Sequence, residues 1–151
     1  MPRSYDSLTL DEAKRMLSAA EAKAASLEVA YNIAVVDAGG HLMAFLRQDG
    51  ALAGSIDLAI CKATTARLFD KTTSRLAELA QPGEPLFGIQ QSHGGKVVIF
   101  GGGIPVVLDG NIVGAVGASA GTVEQDIAVA EAAIAALART PAAAEAERNA
   151  P

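Results

Sequence analysis

The chain has 151 residues, of which half are hydrophobic and only 4% aromatic, and its formal net charge at pH 7 is -5. This length fits one domain with its own core, which must consist mainly of alanine and branched aliphatic side chains because tryptophan is absent. The acidic balance removes the basic surface on which nucleic-acid binding depends, so neither DNA nor RNA is an expected partner. No apolar run is long and uninterrupted enough to cross a membrane, and no membrane association is expected.

The start of the chain and its cysteine content bear on its compartment. Cys61 is the single cysteine, which excludes an internal disulfide. The first seven residues have no apolar core of the kind that a signal peptide needs. We therefore expect a cytoplasmic protein.

The first third of the sequence predicts a helix followed by a β-hairpin. Thr9 and Glu12 have the spacing of a capping box, and apolar residues then repeat at helical spacing, so we expect a helix over about residues 10–28. Apolar runs at residues 31–36 and 41–46 flank the turn sequence Asp-Ala-Gly-Gly. This arrangement predicts two antiparallel strands.

The middle of the chain is predicted to be helical and then irregular. A stripe of apolar residues predicts a helix from Ser55 to Phe69, and a short helix is expected after Thr72 and Thr73. The segment with Pro and Gly that follows, up to Gly95, is typical of a loop with one helical turn at most.

The last third predicts three strands and a closing helix. Asp109-Gly110-Asn111 is a strong hairpin signal between the second and third of these strands, because Gly and Asn tolerate positive φ. Thr122 and Gln125 have the spacing of a second capping box at the start of the closing helix. The three strands and the helix are expected at residues 96–100, 104–108, 112–119 and 123–138.

The predicted order α-β-β-α-α-β-β-β-α indicates the fold class. It favours one antiparallel sheet of five strands with helices packed on its faces. We assign residues 8–138 to this single α/β domain. Residues 139–151 are rich in alanine without an apolar period and are expected to form a disordered tail.

Small residues precede the capping box of the closing helix. Gly114, Gly117 and Gly121 remove bulk from the predicted strand, so another backbone or a ligand can approach it closely. A glycine-lined strand that runs into a capped helix start is also a place where an anionic group can bind.

Five sequence blocks, in order, carry a resemblance to a known family. The blocks are residues 35–42, 47–51, 55–66, 101–105 and 114–126. Together they resemble the GlcG/HbpS family of haem-binding and haem-degrading proteins, to which the C-terminal domain of PduO is also similar. The resemblance implies a profilin-like α/β sandwich, a homo-oligomer with an octamer as a candidate state, and binding of haem or a related tetrapyrrole.

Polar residues of these blocks are candidates for a cofactor or carboxylate site. If the strand and helix ends converge, Arg47 and Lys62 are expected to hold a haem propionate or a small carboxylate. The alternative is that they form surface ion pairs with Asp49 and Asp126. The residues expected to bind the cofactor are Arg47, Lys62, Thr65, Gly102, Gly103, Ser119, Gly121, Thr122 and Gln125.

Three residues are candidates for the ligand of the haem iron. The resemblance points to the Thr122 loop, through an oxygen ligand, whereas the local sequence predicts that Thr122 caps a helix. His93 lies in a loop bounded by glycines where an imidazole can reach an iron, and His41 directly follows two glycines. The alternative for both histidines is that they are exposed turn residues.

Two main function classes remain, beside a pure assembly or carrier role. The sequence has no Gly-x-Ser-x-Gly elbow, no Walker sequence, no cysteine pair and no His-x-x-x-His, which excludes serine hydrolases, nucleotide hydrolases and structural zinc proteins. We expect a cytoplasmic haem- or tetrapyrrole-binding protein in which any haem degradation results from oxygen chemistry at a weakly ligated iron. The alternative is a small enzyme of organic-acid catabolism, in which Asp49 or Asp126 is catalytic and moves a proton at the carboxylate site.

Overall fold

The computed structural model describes residues 1–138 and residue 149. Within these residues the chain forms four helices and four strands, with two short 3-10 turns at Ile89–Gln91 and His93–Gly95. The elements in chain order are α1 (Leu10–Ser26), β1 (Asn32–Asp37), β2 (Leu42–Arg47), α2 (Gly54–Phe69), α3 (Thr73–Leu79), β3 (Gly103–Leu108), β4 (Asn111–Ser119) and α4 (Val123–Ala135). None of the described helices is long and apolar enough to span a membrane. Apart from residue 149, the predicted tail lies outside the described residues.

Both predicted capping boxes are confirmed. Ahead of α1, the Thr9 hydroxyl accepts a hydrogen bond from the backbone N–H of Glu12, whose carboxylate accepts one from the backbone N–H of Thr9. Thr122 and Gln125 exchange the same two bonds ahead of α4. These bonds satisfy backbone donors that a helix start otherwise leaves unpaired, which is why both helices begin where the sequence predicts.

The sheet has four antiparallel strands in the order β2-β1-β4-β3, so the predicted five-stranded sheet is wrong. The predicted strand at residues 96–100 pairs with no other strand of the described chain. Its backbone is held instead by Thr65 of α2, whose hydroxyl accepts a hydrogen bond from Val98 N at 3.1 Å and donates to Lys96 O at 3.4 Å. Because a helix side chain satisfies these groups, the segment does not join the sheet.

The β3–β4 connection confirms the predicted hairpin. Leu108 pairs with Asn111, and the two residues between them, Asp109 and Gly110, have φ angles of 50° and 80°. Positive φ at both central positions is typical of the tight turn whose twist matches that of the flanking strands.

Helix α2 packs on one face of the sheet at very short range. A Cβ atom on Gly117 would overlap the backbone carbonyl oxygen of Ala59, and one on Gly103 would overlap that of Lys62. Gly103 of β3 and Gly117 of β4 therefore admit the backbone of α2. This accounts for the close approach that the sequence predicts, with a helix as the approaching group.

The larger core lies on the opposite face, where α1 and α4 pack side by side. Successive residues of β1 point to opposite faces, so that Ile33 and Val35 enter this core while Ala34 and Val36 lie under α2. Two helical layers thus enclose the sheet, and the α/β sandwich class is consistent with the prediction.

We expect Gly117→Ala to destabilise the fold by roughly 1–3 kcal/mol, because the added methyl group meets backbone atoms of Ala59 and Ala63 that cannot move without displacing α2. Gly54→Ala is the matched control, since a Cβ there has no atom within 4 Å and its φ is ordinary. Urea unfolding of both variants measures the difference. Equal stability of the two variants would contradict the close packing of α2.

Candidate functional site

A buried ion pair lies where the end of β4 and the start of α4 meet the middle of α2. Lys62 of α2 is fully buried, and its ammonium donates to Asp126 Oδ2 at 2.6 Å and to the carbonyl oxygen of Ala118 at 3.0 Å. Asp126 belongs to the first turn of α4 and is itself buried. The pair therefore joins the helices that cover opposite faces of the sheet.

The second carboxylate oxygen of Asp126 is equally occupied. Oδ1 accepts hydrogen bonds from the hydroxyl of Tyr31 at 2.8 Å and from the backbone N–H groups of Ala120 and Gly121 at 3.1 and 3.0 Å. Burial, together with the neighbouring carboxylate, raises the pKa of Tyr31 far above its ordinary value, so the phenol keeps its proton and acts as a donor. Asp126 is thus enclosed by four donor groups.

Two opposing effects act on the pKa of Lys62. Burial lowers the pKa of its ammonium below the ordinary value, while the charge of Asp126 and the hydrogen bond to it act in the opposite direction. The ring of Phe100 lies 4.7 Å from Nζ and adds a cation–π contact on the outer side. The Lys62 side chain has no solvent-exposed surface.

The predicted glycine loop contributes space for this cluster. A Cβ on Gly102 would come within 2.7 Å of the carbonyl oxygen of Ala118 and 2.9 Å of Lys62 Nζ, and the φ angle of Gly102 is 119°. Only glycine adopts this conformation without strain. Gly102 and Gly103 therefore serve the packing of Lys62 and α2 in the structure.

The polar residues predicted to converge divide into two groups. Lys62, Gly121, Gln125 and Asp126 lie near the start of α4 together with Ser119, which is buried at the end of β4. Arg47 and Asp49 are exposed at the end of β2, where they border a cavity of about 490 Å³ whose lining includes Glu21 of α1 and Glu28, which follows that helix. The Arg47 guanidinium donates to the carbonyl oxygen of Ala51. In the described part of the chain, no hydrogen bond or ion pair joins the two groups.

Of the two ion pairs considered as the alternative to a site, one forms. Lys62 pairs with Asp126, but inside the protein and not on the surface. The Thr65 hydroxyl is also occupied, because it forms hydrogen bonds with the backbone of Lys96 and Val98. Assignment of these residues to a cofactor stays a prediction.

The candidate iron ligands occupy three separate places. The exposed hydroxyl of Thr122 caps α4 by accepting from Gln125 N at 3.2 Å. His41 lies in the β1–β2 turn with its side chain 84% exposed and Nδ1 3.5 Å from Asp37 Oδ1. His93 lies in the second 3-10 turn, at the side of a groove. Iron ligation by any of them remains a prediction.

The groove at His93 has a volume of about 340 Å³ and an almost entirely apolar surface. It runs between the outer side of α2 and the segment that follows the 3-10 turns. Its lining residues are Thr64, Thr65, Leu68, Phe69, His93, Lys96 and Val97. No group of three His, Cys, Asp or Glu residues that could hold a metal ion by itself occurs in the described residues.

Most of this lining is absent from the sequence analysis. One signal was available in the sequence: Leu68 is a large aliphatic residue outside the apolar stripe of α2. The structure shows its side chain half exposed. That the groove also contains an imidazole depends on the path of the loop and could not be read from periodicity.

Comparison with known proteins identifies the family. Residues 8–135 match the family model described as "Haem degrading protein HbpS-like". The chain belongs to this HbpS-like family. Its match covers the described fold from just before α1 to the end of α4.

Several relatives within the HbpS-like family are similar to this chain in sequence or structure. The chain is 44% identical, over 84% of its length and 89% of the relative, to an uncharacterized 15.0 kDa protein from the dhaT-dhaS intergenic region of Citrobacter freundii. It is 40% identical over 87% of its length to the corrinoid adenosyltransferase PduO of the same organism, of which it spans only 39%. The crystal structure of a PduOC:heme complex superposes with a TM-score of 0.84 at 38% identity, covering 87% of this chain and 95% of that one.

We expect Lys62→Met to cost about 3–5 kcal/mol, because it leaves the Asp126 carboxylate buried without its counter-charge. Arg75→Ala, which breaks the exposed Arg75–Glu78 pair, is the control and should cost less than about 1 kcal/mol. Guanidinium unfolding curves give both values. A loss below 1 kcal/mol in Lys62→Met would show that the pair does not hold the two helices together.

Proposed function

We propose that this protein binds haem. The observation that carries the proposal is the apolar groove beside His93, because it combines walls of Leu68, Phe69 and Val97 with an imidazole and the ammonium of Lys96. The 38% identity to the protein of the PduOC:heme complex supports the same ligand. Bound haem would supply a redox-active iron, while the protein supplies orientation and surroundings.

The residues of the groove fit the chemical parts of haem. The macrocycle is flat and apolar and matches an aliphatic and aromatic surface. An imidazole is a common protein ligand of haem iron. Lys96 is exposed at the groove and can pair with a propionate carboxylate.

The alternative function, a carboxylate-binding enzyme, has less support. The ammonium of Lys62 is fully used by Asp126 and Ala118, so it is not available to a substrate. At the cavity beside Arg47, a carboxylate would meet Glu21, Glu28 and Asp49, whose like charges oppose its binding. We therefore favour haem.

We expect the apo-protein, titrated with hemin, to show a saturable change of the Soret band at micromolar concentration, since the groove and its imidazole are preformed. The same protein should gain thermal stability from hemin and not from small carboxylates such as glycolate or succinate. A flat hemin titration would overturn haem binding, and stabilisation by a carboxylate alone would favour the enzyme.

Haem degradation and location are further proposals. The family description includes degradation, and we propose that any such reaction here depends on the iron, because Asp126 is enclosed by four donors and is poorly placed to act as a base. A cytoplasmic location stays a prediction.

We also infer that the protein is a homo-oligomer, with an octamer as the candidate state. Support comes from large apolar side chains that this chain leaves uncovered, among which Leu52 and Phe87 are more than 60% exposed. Strand β2 is in addition an edge strand whose residues from Met43 to Leu46 are only half buried.

Light scattering is expected to give a mass several times the 15.3 kDa of one chain, and about 122 kDa for eight copies. The physical reason is that self-association buries the exposed apolar groups. Sedimentation at two concentrations serves as the check on reversible aggregation. A monomer at micromolar concentration would contradict the inference.

A further inference from the structure

We propose that the haem lies in the groove between α2 and the 3-10 turns, with His93 Nε2 as the iron ligand and Lys96 as the partner of a propionate. This assignment rests on the proposed haem binding and goes beyond it, since it chooses among Thr122, His41 and His93. It rests on the position of His93 in the apolar groove and on the hydrogen bonding of its ring.

The local hydrogen bonds select which ring nitrogen of His93 carries the proton. The hydroxyl of Ser92 donates its single hydrogen to the carbonyl oxygen of Ile89 at 2.7 Å. His93 Nδ1 lies 3.1 Å from the same hydroxyl oxygen, which can then only accept. In the tautomer that keeps both contacts of the Ser92 hydroxyl, Nδ1 is the N–H and Nε2 of the neutral ring carries the free lone pair. Iron-ligating histidines are typically oriented in this way, by a second group that binds the other nitrogen.

The backbone holds the His93 ring in a conformation that costs energy. Its φ angle is 55°, and Gly94 and Gly95 continue in the left-handed region at 67° and 78°. A non-glycine residue here is uncommon and strained, and such strain concentrates at functional positions. The ring meets Phe69 edge to face, with centroids 5.5 Å apart at 71°, which fixes its orientation beside the groove.

Among the residues that line the groove, His93 is the one with a nitrogen that can bind iron as a neutral imidazole. The hydroxyl of Thr65 is used by Lys96 O and Val98 N, and the hydroxyl of Thr64 lies within reach of the Gly40 carbonyl. Leu68, Phe69 and Val97 are apolar. The exposed Lys96 ammonium matches the charge of a propionate.

Neither of the other two candidates belongs to the apolar lining of the groove. The Thr122 hydroxyl already accepts the cap bond of α4, and a neutral hydroxyl is a weak iron ligand. His41 has an orienting partner of its own in Asp37, but its side chain is 84% exposed and does not line the groove, although the preceding Gly40 carbonyl lies 3.5 Å from the Thr64 hydroxyl. The structure thus favours His93.

The test compares hemin binding to four proteins: the wild type, His93→Asn, His41→Asn and Thr122→Gly. Asparagine tolerates the left-handed backbone but has no imidazole, and glycine is a serviceable helix cap without a hydroxyl. We expect His93→Asn to weaken binding at least about tenfold, in line with loss of a metal ligand, and to change the Soret maximum. Free imidazole should restore the wild-type spectrum, and the other two variants should behave as the wild type.

Two further pairs of variants test the surroundings of the ligand. Ser92→Ala should lower hemin affinity by about 10–100-fold with an altered spectrum, and Ser92→Thr should restore it because the hydroxyl is kept. Lys96→Glu should weaken binding while Lys96→Arg preserves it. Circular dichroism melting of every variant separates ligand loss from unfolding.

The outcomes distinguish this assignment from the function on which it rests. Absence of hemin binding in the wild type would overturn the proposed function itself. Wild-type affinity and spectrum in His93→Asn, or loss of binding only in Thr122→Gly, would overturn the groove assignment and leave haem binding intact.

Discussion

The ion pair between Lys62 and Asp126 is the interaction on which the arrangement of the layers depends. Helices α2 and α4 cover opposite faces of the sheet, and this contact joins them through the end of β4. A buried charge pair is stable only when further hydrogen bonds compensate for lost hydration. Tyr31, Ala118, Ala120 and Gly121 provide them, so the surrounding chain must keep one conformation.

The close packing that this ion pair requires explains why glycine occupies positions 102, 103 and 117, and a bound ligand is not needed to explain them. Gly117 and Gly103 let the backbone of α2 lie directly on the sheet, which brings Lys62 deep enough to meet Asp126. Gly102 leaves room for the ammonium itself. The segment that resembles an anion site in sequence thus binds the protein's own carboxylate, because Asp126 accepts the hydrogen bonds of the backbone N–H groups of Ala120 and Gly121.

Because the Lys62 ammonium is already bound by Asp126 and Ala118, the side chains that can contact a ligand are those of the groove on the other side of α2. The outer side of α2 contributes Leu68 and Phe69, while the loop after α3 contributes His93 and Lys96. Thr65 links the two parts, because its hydroxyl fixes the backbone on which Lys96 lies. The groove is therefore a product of the same helix whose inner side packs on the sheet.

The sequence by itself determined the features that depend on neighbouring residues. The helix starts at Thr9 and Thr122 and the turn at residues 109–110 follow from hydrogen bonds and φ preferences within a few residues, and the five family blocks identified the family correctly. Only the tertiary structure decided that residues 96–98 bind Thr65 and not a strand, that Lys62 meets Asp126 across 64 positions, and that His93 borders α2. Each of these contacts joins residues that are far apart in the sequence and close only in the folded chain. No local sequence pattern encodes such a contact.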